Sequence, residues 1–534
     1  MSTDATLPST KDACDQIGLP DDVATLHAMI RELLKSLHDS EHEKEGLRHR
    51  LDQLLRRLYG PRSEKIDPSQ LLLFADAFAD PEPTKVDHAE VQVEPTVDSK
   101  IRKGHGRKKI SADLPRVRIE HDLPEAEKIC ACCGESLTAI GEDTSEQLDY
   151  EPASLFVCVH ARKKYACKKC QDDVITADKP AEPIDKGLPG PGLLAHVATS
   201  KYADHLPLYR QEGILARHGV EVSRKTMCDW MAKVADLLQP ITMRLRELVL
   251  ESKAIHTDDT SVPVQDRQLS KTRTGRLWTY LGDADHPYTL FDFTPTRSRE
   301  GPENWLEGYK GYLQADAFSS YDAMFKIGKV IEVACWAHAR RKFFEAKSTD
   351  ADRSHQMMAL IGQLYDIERK AKEEIQKRRV AEPGLSAEHA DGMLQTRRQE
   401  QAAPILKQID AWLDENARSA LPKSPIGQAI GYTRSNWAAL NRYLEAGYLA
   451  IDNNAAERAI KNVVIGRKNY LFCGSDEGGR TAATIYSITV TCKRLALDPF
   501  RYLRDVLAAV STHPAKDLDE LLPDRWAKEQ NKLP

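Results

Sequence analysis

The hydrophobic pattern of this chain changes its period near residue 253. Before that point, residues 187–250 carry the apolar spacing of helices. After it come short runs rich in β-branched and aromatic residues, which are typical of strands. In chain order these runs are KAIHTDD, RLWTYLG, YTLFDF, GYLQAD and KVIEVAC. Helical spacing separates the later runs, so the predicted order is three strands, a helix, a strand, a helix, a strand and then helices.

That order of elements indicates the fold class. It is the order expected of a ribonuclease-H-like α/β domain with a large helical insertion before its final helix. We predict this domain over residues 251–510, with the insertion at about 348–446 and a C-terminal tail at 511–534. A chain of 534 residues is long enough for three or four domains, so we expect a multidomain α/β protein.

The leucine-rich N-terminal segment predicts a coiled coil over residues 20–62. Spacings of four and three residues alternate through Leu26, Ile30, Leu33, Leu37, Ser40, Lys44, Leu47, Leu51, Leu54 and Leu58. Ser40 and Lys44 interrupt the apolar seam, and Gly60-Pro61 ends the helix. The pattern favours pairing with a second copy or a partner, while an amphipathic helix that packs on its own chain would show the same spacing.

Residues 63–110 combine an acidic, proline-rich linker with a basic arm. The arm reads KIRKGHGRKK at residues 100–109, where Lys103, Arg107 and Lys108 are candidates for phosphate contacts. The net charge of the whole chain is −5, which by itself argues against a nucleic-acid-binding protein. The charges are, however, separated along the chain, and their distribution matters more than their sum. The sequence therefore favours a DNA-binding arm over a solvated tail.

Two cysteine pairs predict a structural zinc site in a module over residues 111–185. The pairs are Cys130 with Cys133, and Cys167 with Cys170. Four thiolates form a closed tetrahedral Zn²⁺ site. The 33 residues between the pairs suit a zinc ribbon with a β-hairpin between them. Cys132 and Cys158 are left over, and packing is the simplest role for both, although Cys132 could compete as a ligand.

Residues 186–250 are predicted to form a helical DNA-binding region. The segment from Ile214 to Met231 has a helix, a turn at Gly219, an N-cap at Ser223 and a second helix. This is the outline of a helix-turn-helix, and a plain helical hairpin has the same spacing.

Three acidic residues are candidates for a catalytic metal site. Asp258 ends the first β-run and Asp316 ends a later one, the position at which α/β folds place ligands. Glu457 lies on a helix that begins at an N-cap cluster, DNN at 452–454. Phosphoryl transfer on DNA with two metal ions needs carboxylates that converge in this way. Spacing alone leaves open that each acid is only a cap or a turn residue.

The N-terminal residues do not predict export. They lack the basic start and apolar stretch of a secretory signal, and the chain has no apolar run of about 18 residues. We therefore expect a cytoplasmic protein without membrane contact. The 11 cysteines of such a chain do not indicate a disulfide framework.

At the candidate residues the sequence resembles the transposases of the insertion-sequence-66 family. The blocks that carry the resemblance are HTDDT (256–260), LQAD (313–316) with Tyr321, CWAHARRKF (335–343), DNNAAER (452–458) and GRKNYLF (466–472). Asp259 replaces the glutamate that is usual in the first block. The resemblance extends from the leucine-rich helix to about Leu507, and it includes the cysteine module and KYADHLPLYR at 201–210.

The resemblance implies a DDE mechanism of DNA cleavage and strand transfer. Asp258, Asp316 and Glu457 would bind two Mg²⁺ or Mn²⁺ ions. Asp259 should face the opposite side of its strand and not reach them. Further candidates for DNA or phosphate contacts are His338, Arg340, Arg341, Arg467 and Lys468, for which helix packing or a solvated charge is the alternative.

The implied partner is double-stranded DNA, as element ends and as target. A nucleoid-associated homodimer or higher oligomer would form through the coiled coil, and the family often encodes accessory proteins beside the transposase. Two other functions remain open from the sequence. A regulator derived from a transposase would have lost one or more of the three carboxylates, which are all present. A nuclease of the same fold, which cleaves without joining, has the same residues.

Overall fold

The computed structural model describes residues 116–530, except 131, 133, 152–153, 167–173, 267–270, 317–320, 327, 329 and 383, together with residues 27–36 and positions 22, 25, 40 and 44. The basic arm and most of the predicted coiled coil lie outside the described residues. Residues 27–36 are helical, and Ile30, Leu33 and Leu34 there are exposed. None of the described helices is both long and apolar enough to cross a membrane.

The chain divides into two compact units. The larger contains Gly104–His338, Tyr365–Ala403 and Asn436–Pro534. The smaller contains Met1–Lys103, Ala339–Leu364 and Pro404–Ser435, and its described part is helical.

A four-stranded sheet forms the cysteine-bearing module of the larger unit. Its strands are β1 (Arg116–His121), β2 (Thr138–Glu151), β3 (Ser154–Ala166) and β4 (Val174–Thr176). Strand β3 pairs in antiparallel fashion with β2 and β4 and in parallel with β1. The β2–β3 hairpin confirms the prediction of a hairpin between the two cysteine pairs.

Three helices follow the module. They are α1 (Pro191–Tyr202), α2 (Leu208–Arg217) and α3 (Arg224–Leu250). Gly219 turns the chain with a φ of 78°, and the Ser223 hydroxyl caps α3 by accepting the backbone N–H of Thr226 at 3.1 Å. The helix-turn-helix outline is therefore present, but α3 has 27 residues and buries one side along much of its length.

The central sheet has five strands in the order β7-β6-β5-β8-β9. The elements are β5 (Ala254–Val264), β6 (Arg273–Leu281), β7 (Thr289–Thr294), α4 (Glu300–Trp305), β8 (Gly311–Gln314), α5 (Asp322–Lys326) and β9 (Val330–Val333). Strands β5, β6 and β7 are antiparallel neighbours, whereas β8 and β9 run parallel to β5. The predicted order of strands and helices is confirmed.

Helices make up the remainder of the described chain. They are α6 (Trp336–Ala346), α7 (Ala351–Ala381), α8 (Ala387–Arg397), α9 (Ala403–Ala417), α10 (Pro425–Ser435), α11 (Trp437–Asn441), α12 (Asn454–Tyr470), α13 (Asp476–Arg494), α14 (Pro499–Ala509) and α15 (Pro523–Gln530). A π-helical stretch, Arg398–Ala402, joins α8 to α9. Between β9 and α12 the described chain forms helices and no strand, which agrees with the predicted insertion.

One hydrophobic core runs through the larger unit. It includes buried side chains of α1–α3, the central sheet, α12–α14 and the residues Leu521 and Leu522. The core is continuous across the domain boundaries predicted near residues 250 and 510. Those boundaries therefore divide the sequence but not the hydrophobic core.

Candidate active site

Asp258 lies in the interior of β5, so its predicted position at a strand end is wrong. The parallel ladder between β5 and β8 ends with His256 opposite Gln314, while β5 continues against β6 as far as Val264. Asp258 lies two residues beyond that ladder, and Asp316 lies two residues beyond Gln314. Asp316 therefore lies in the segment that follows β8, at the end of the sheet toward which β5 carries Asp258.

Asn453 attaches the N-terminus of α12 to β5. Its side-chain Nδ2 donates to the carbonyl of Thr257 at 2.8 Å, and its Oδ1 lies 3.1 Å from Nδ1 of His256. Because the amide nitrogen is already the donor to Thr257, Oδ1 accepts and His256 carries a proton on Nδ1. Burial lowers the pKa of His256 below its usual value, which favours the neutral ring. Asn453 itself is 0% exposed.

In the predicted N-cap cluster, Asp452 and not Asn453 bonds to the start of α12: its Oδ1 accepts the N–H of Asn454 at 3.1 Å. Asn453 precedes α12, but its side chain makes no capping hydrogen bond. Its backbone N–H donates to Sγ of Cys335 at 3.2 Å, next to the start of α6. Asn453 therefore joins the HTDDT, CWAHARRKF and DNNAAER blocks, a role that no local pattern of the sequence predicts.

Glu457 lies one helical turn after Asn453 in α12. Its backbone N–H donates to the carbonyl of Asn453 at 3.3 Å. Its carboxylate Oε1 lies 3.7 Å from Nε2 of His338 on α6. The helix that Asn453 holds against β5 thus brings Glu457 toward the strand of Asp258, and His338 is beside it.

The charges of Asp316 and Glu457 reach Asp258. Burial and then the negative charge of Asp316 raise the pKa of Asp258 to about 8, and Glu457 adds to the rise. The backbone N–H of Asp259 acts against them by donating to Oδ1 of Asp258 at 2.8 Å. A buried carboxylate whose pKa is raised by two further acids belongs to a site that a cation would stabilise.

The donor set suits a hard divalent cation. It offers carboxylate oxygens, which are ligands for Mg²⁺ or Mn²⁺. Among the residues that the structure describes, however, no three His, Cys, Asp or Glu side chains are grouped closely enough to hold a metal ion as they stand. The carboxylates would therefore have to draw together around a bound ion.

Asp259 faces away from this site. Its carboxylate accepts from Arg276 at 3.0 Å and from Arg297 at 2.6 Å, and its side chain is 4% exposed. These contacts agree with the expectation that neighbouring residues of a strand point to opposite sides. The buried hydroxyls of Thr257, next to Asp258, and of Tyr321 lie 3.0 Å apart. This contact joins the first and second sequence blocks inside the core.

The remaining candidates lie in different surroundings. Arg340 and Arg341 follow His338 on α6 and are half-buried. Arg467 bonds to β5 through Thr260 Oγ1 at 3.3 Å and through Ser261, so its guanidinium holds α12 on the strand. Its predicted contact with DNA is untested. Lys468, the next residue, is exposed. Lys103, Arg107 and Lys108 are outside the described residues.

The cysteine module is described only in part. Cys130 is buried in a small core with Leu123, Leu137, Tyr165 and Ala177. Gly134, with a φ of 69°, donates its N–H to the carbonyl of Cys130 at 2.8 Å. Cys133, Cys167 and Cys170 lie outside the described residues. Cys158 is buried as predicted, whereas Cys132 is exposed and so does not pack in a core.

Residues 186–481, more than half of the chain, match the family model described as Transposase IS66 family. The chain belongs to the IS66 transposase family. Three further models of the same family match: a zinc-finger binding domain of transposase IS66 at residues 127–171, a model described as Transposase C of IS166 homeodomain at 46–119, and an IS66 C-terminal element at 487–523. The resemblance inferred from the sequence blocks is confirmed.

The chain is also similar to two relatives over most of their length. The uncharacterized protein y4jD of Sinorhizobium fredii (strain NBRC 101917 / NGR234) is 31% identical over an alignment of 540 positions that covers 96% of this chain and 98% of the relative. The uncharacterized protein y4qI of the same organism is 32% identical over an alignment of 551 positions that covers 95% of this chain and 97% of the relative. Membership of the IS66 family supports a transposase function with DNA as the partner, and the zinc-finger model, which spans all four paired cysteines, supports zinc binding.

Proposed function

We propose that this IS66 protein is a DDE-type transposase that cleaves and joins DNA strands at Asp258, Asp316 and Glu457. What supports this most strongly is that Asn453 joins the helix of Glu457 to the strand of Asp258, and that the charges of Glu457 and Asp316 both act on Asp258. The order β7-β6-β5-β8-β9, with three antiparallel strands followed by two parallel ones, further supports a ribonuclease-H-like catalytic domain. We propose Mg²⁺ or Mn²⁺ as the catalytic cofactor.

Each residue of the site has its own role in this proposal. Divalent cations, when bound, supply activation of the attacking oxygen and neutralisation of charge at the leaving oxygen. Asp258 lies on β5, and Asp316 follows β8, which pairs with β5 as far as His256 and Gln314. Glu457 comes from a helix and depends on Asn453 for its place. His338, 3.7 Å from Glu457, orients that carboxylate and, when protonated, can donate to a DNA phosphate.

The other modules bind DNA or organise the assembly in this proposal. Cys130, Cys133, Cys167 and Cys170 hold one structural Zn²⁺ ion. The basic arm at 100–109 and the α2–α3 region contact DNA. The N-terminal heptads join copies of the chain into a dimer or higher oligomer, to which accessory proteins of the same element can bind.

Strand transfer in vitro tests the proposal. The purified full-length protein is mixed with labelled DNA of its own element ends, a plasmid target and Mg²⁺ or Mn²⁺. Asp316→Asn should reduce the joined product by at least about 10³-fold, because one metal ligand is lost while the shape of the side chain is kept. Asp285→Asn, which changes an exposed acid of the same domain, should retain it.

The outcomes separate three functions. Joined product that disappears in Asp316→Asn supports the DDE transposase. Cleavage without joining supports a nuclease of the same fold. Specific binding to the element ends without chemistry under either metal supports a regulator that was derived from a transposase.

A further inference from the structure

Helix α12 ends in a strained turn that exposes two large apolar side chains. Leu471 has a φ of 68° and a ψ of −47°, and the N–H of Phe472 donates to the carbonyl of Tyr470 at 2.8 Å. These values describe a γ-turn of the rare, strained kind. Leu471 is 64% exposed and Phe472 is 43% exposed. Leu471 and Phe472 are called the apolar tip below.

The apolar tip is held on both sides, so its exposure does not come from a loose loop. Before it, the Tyr470 hydroxyl is buried and the Lys201 ammonium lies 5.3 Å from the centre of the Tyr470 ring. After it, Cys473 donates its N–H to Pro263 and accepts from the N–H of Gln265, both at 2.8 Å. This rigid turn keeps a strained backbone while it exposes leucine and phenylalanine, which is typical of a contact site.

A row of cations leads from the active site to the apolar tip. Arg458, Lys461 and Lys468 are exposed on α12, and their spacings of three and seven residues place them near one face of the helix. Glu457 is the only acid in the sequence of α12. The nearest acids of the next helix are in ion pairs, Asp476 with Arg273 and Glu477 with Arg480. In a chain with a net charge of −5, this face is positive and fits a polyanion.

We propose that duplex DNA lies along α12 and that the apolar tip inserts between two of its base pairs. This inference rests on the proposed function, since it places the DNA by means of the catalytic Glu457. Apolar side chains that enter the stack unstack a base step, while neighbouring cations hold the phosphates. The other occupants that the tip could have are a second copy of the chain and the residues outside the described part.

The length of α12 fixes where the DNA is distorted. Fourteen residues separate Glu457 from Leu471, which at the helical rise is about 20 Å. At 3.4 Å per base pair, this corresponds to about six base pairs from the scissile phosphate. The inserted tip therefore opens a step inside the element end or its flank, away from the reacting bond.

Fluorescence of 2-aminopurine tests the insertion. Duplexes of the element end carry this base at single positions three to nine pairs from the cleavage site, and Ca²⁺ replaces Mg²⁺ so that the DNA stays intact. Wild-type protein should raise the fluorescence about threefold or more near the sixth pair. Leu471→Gly combined with Phe472→Ala should abolish the rise and weaken binding about tenfold. Phe472→Trp should retain the rise, and Val380→Ala, which changes an exposed residue of α7, is the matched control.

The single variant Leu471→Gly separates function from folding. Glycine relieves the positive φ, so the thermal stability of this variant should equal or exceed that of the wild type. Loss of fluorescence with retained stability supports the inference. Unchanged fluorescence overturns it, and so does a change in sedimentation of Leu471→Gly without DNA, which would assign the tip to contact between copies.

The test also distinguishes this inference from the proposed function. Wild-type protein that transfers strands without a fluorescence rise overturns the inserted tip alone. A tip-dependent rise in a protein that never cleaves DNA overturns the DDE proposal and leaves the tip supported. A wild type that does not bind the duplex overturns both.

Discussion

Asp258 and Asp259 are neighbours in sequence that have opposite roles at the residue scale. Asp258 lies among other acids, whereas Asp259 is enclosed by two arginines. We expect Asp258→Asn to abolish strand transfer and to leave stability unchanged or higher, since it removes a carboxylate from beside two others. We expect Asp259→Asn to cost about 3 kcal/mol of unfolding free energy, because Arg276 loses its buried partner. Urea unfolding and strand transfer on both variants provide the measurement.

The same pair of variants can contradict this assignment. If Asp259→Asn were as stable as the wild type, the contacts with Arg276 and Arg297 would have no structural weight. If the folded fraction of Asp259→Asn were inactive, Asp259 would belong to the reacting centre.

Asn453 is expected to position Glu457 without touching DNA. Asn453→Ala leaves His256 and the carbonyl of Thr257 without their partner and should cost about 1–3 kcal/mol. Strand transfer by the folded protein should fall at least about tenfold, and the Mg²⁺ concentration for half activity should rise, since a misplaced ligand weakens the metal site. Asn462→Ala, which removes a bond within the same helix and one from Lys493 but none to β5, is the matched control. A loss of stability with normal Mg²⁺ dependence would reduce Asn453 to a structural residue.

At the scale of elements, α13 closes the open edge of the central sheet. Strand β7 is an edge strand, and such strands expose unpaired backbone groups. Ser487 Oγ accepts the N–H of Phe291 at 2.8 Å, and Thr491 Oγ1 accepts the N–H of Thr289 at 3.0 Å. The four-residue spacing of Ser487 and Thr491 along α13 matches the two-residue spacing of outward N–H groups along β7.

The contact between α13 and β7 predicts that loss of the Ser487 and Thr491 hydroxyls costs more stability than loss of the Thr489 hydroxyl. Ser487→Ala with Thr491→Val leaves two buried N–H groups unpaired and should cost about 2–5 kcal/mol of unfolding free energy. Thr489→Val should cost less than about 1 kcal/mol, because that hydroxyl bonds only to its own helix. Guanidinium unfolding of the three proteins gives the values. Equal costs for the two sets would show that α13 packs on β7 by apolar contact alone.

The order of elements could be predicted from the sequence because periodicity is local. The five strands, the turn at Gly219 and the cap at Ser223 each follow from nearby residues. The extension of β5 past Asp258 could not be predicted, since it depends on β6, which pairs with it up to Val264. Arg398 is a second example: at 1% exposure it binds Glu368 and three backbone carbonyls, a setting that only the folded chain supplies.

The candidate site could also be predicted from the sequence only in part. The sequence blocks supplied Asp258, Asp316 and Glu457, because these residue types and their order resemble a family. Asn453 bonds to Thr257 on β5 instead of capping its helix, and Arg467 bonds to Ser261. Both contacts depend on where α12 lies against β5. Such contacts between residues about 200 positions apart have no local signature.

At the scale of the whole molecule, the cysteine module contributes to two cores. The end of its hairpin that carries Leu148, Leu155 and Val157 belongs to the main core of the larger unit. The end that carries Cys130 has the separate small core with Leu137 and Tyr165. A core of this size gives little stability by itself, so we infer that bound zinc supplies most of the stability at that end of the module.

Removal of zinc should therefore loosen one end of the module and leave the main core folded. The wild type is expected to hold about one zinc per chain, and Cys133→Ser should lose most of it. Limited proteolysis should then cleave faster within residues 116–137 and 167–176, while the main thermal transition moves little, because Leu148 and Leu155 keep their contacts with the main core. Cys228→Ser, at an exposed thiol on α3, is the control. A Cys133→Ser protein that keeps its metal would exclude this ligand set, and a collapse of the main transition would show that the two cores unfold together.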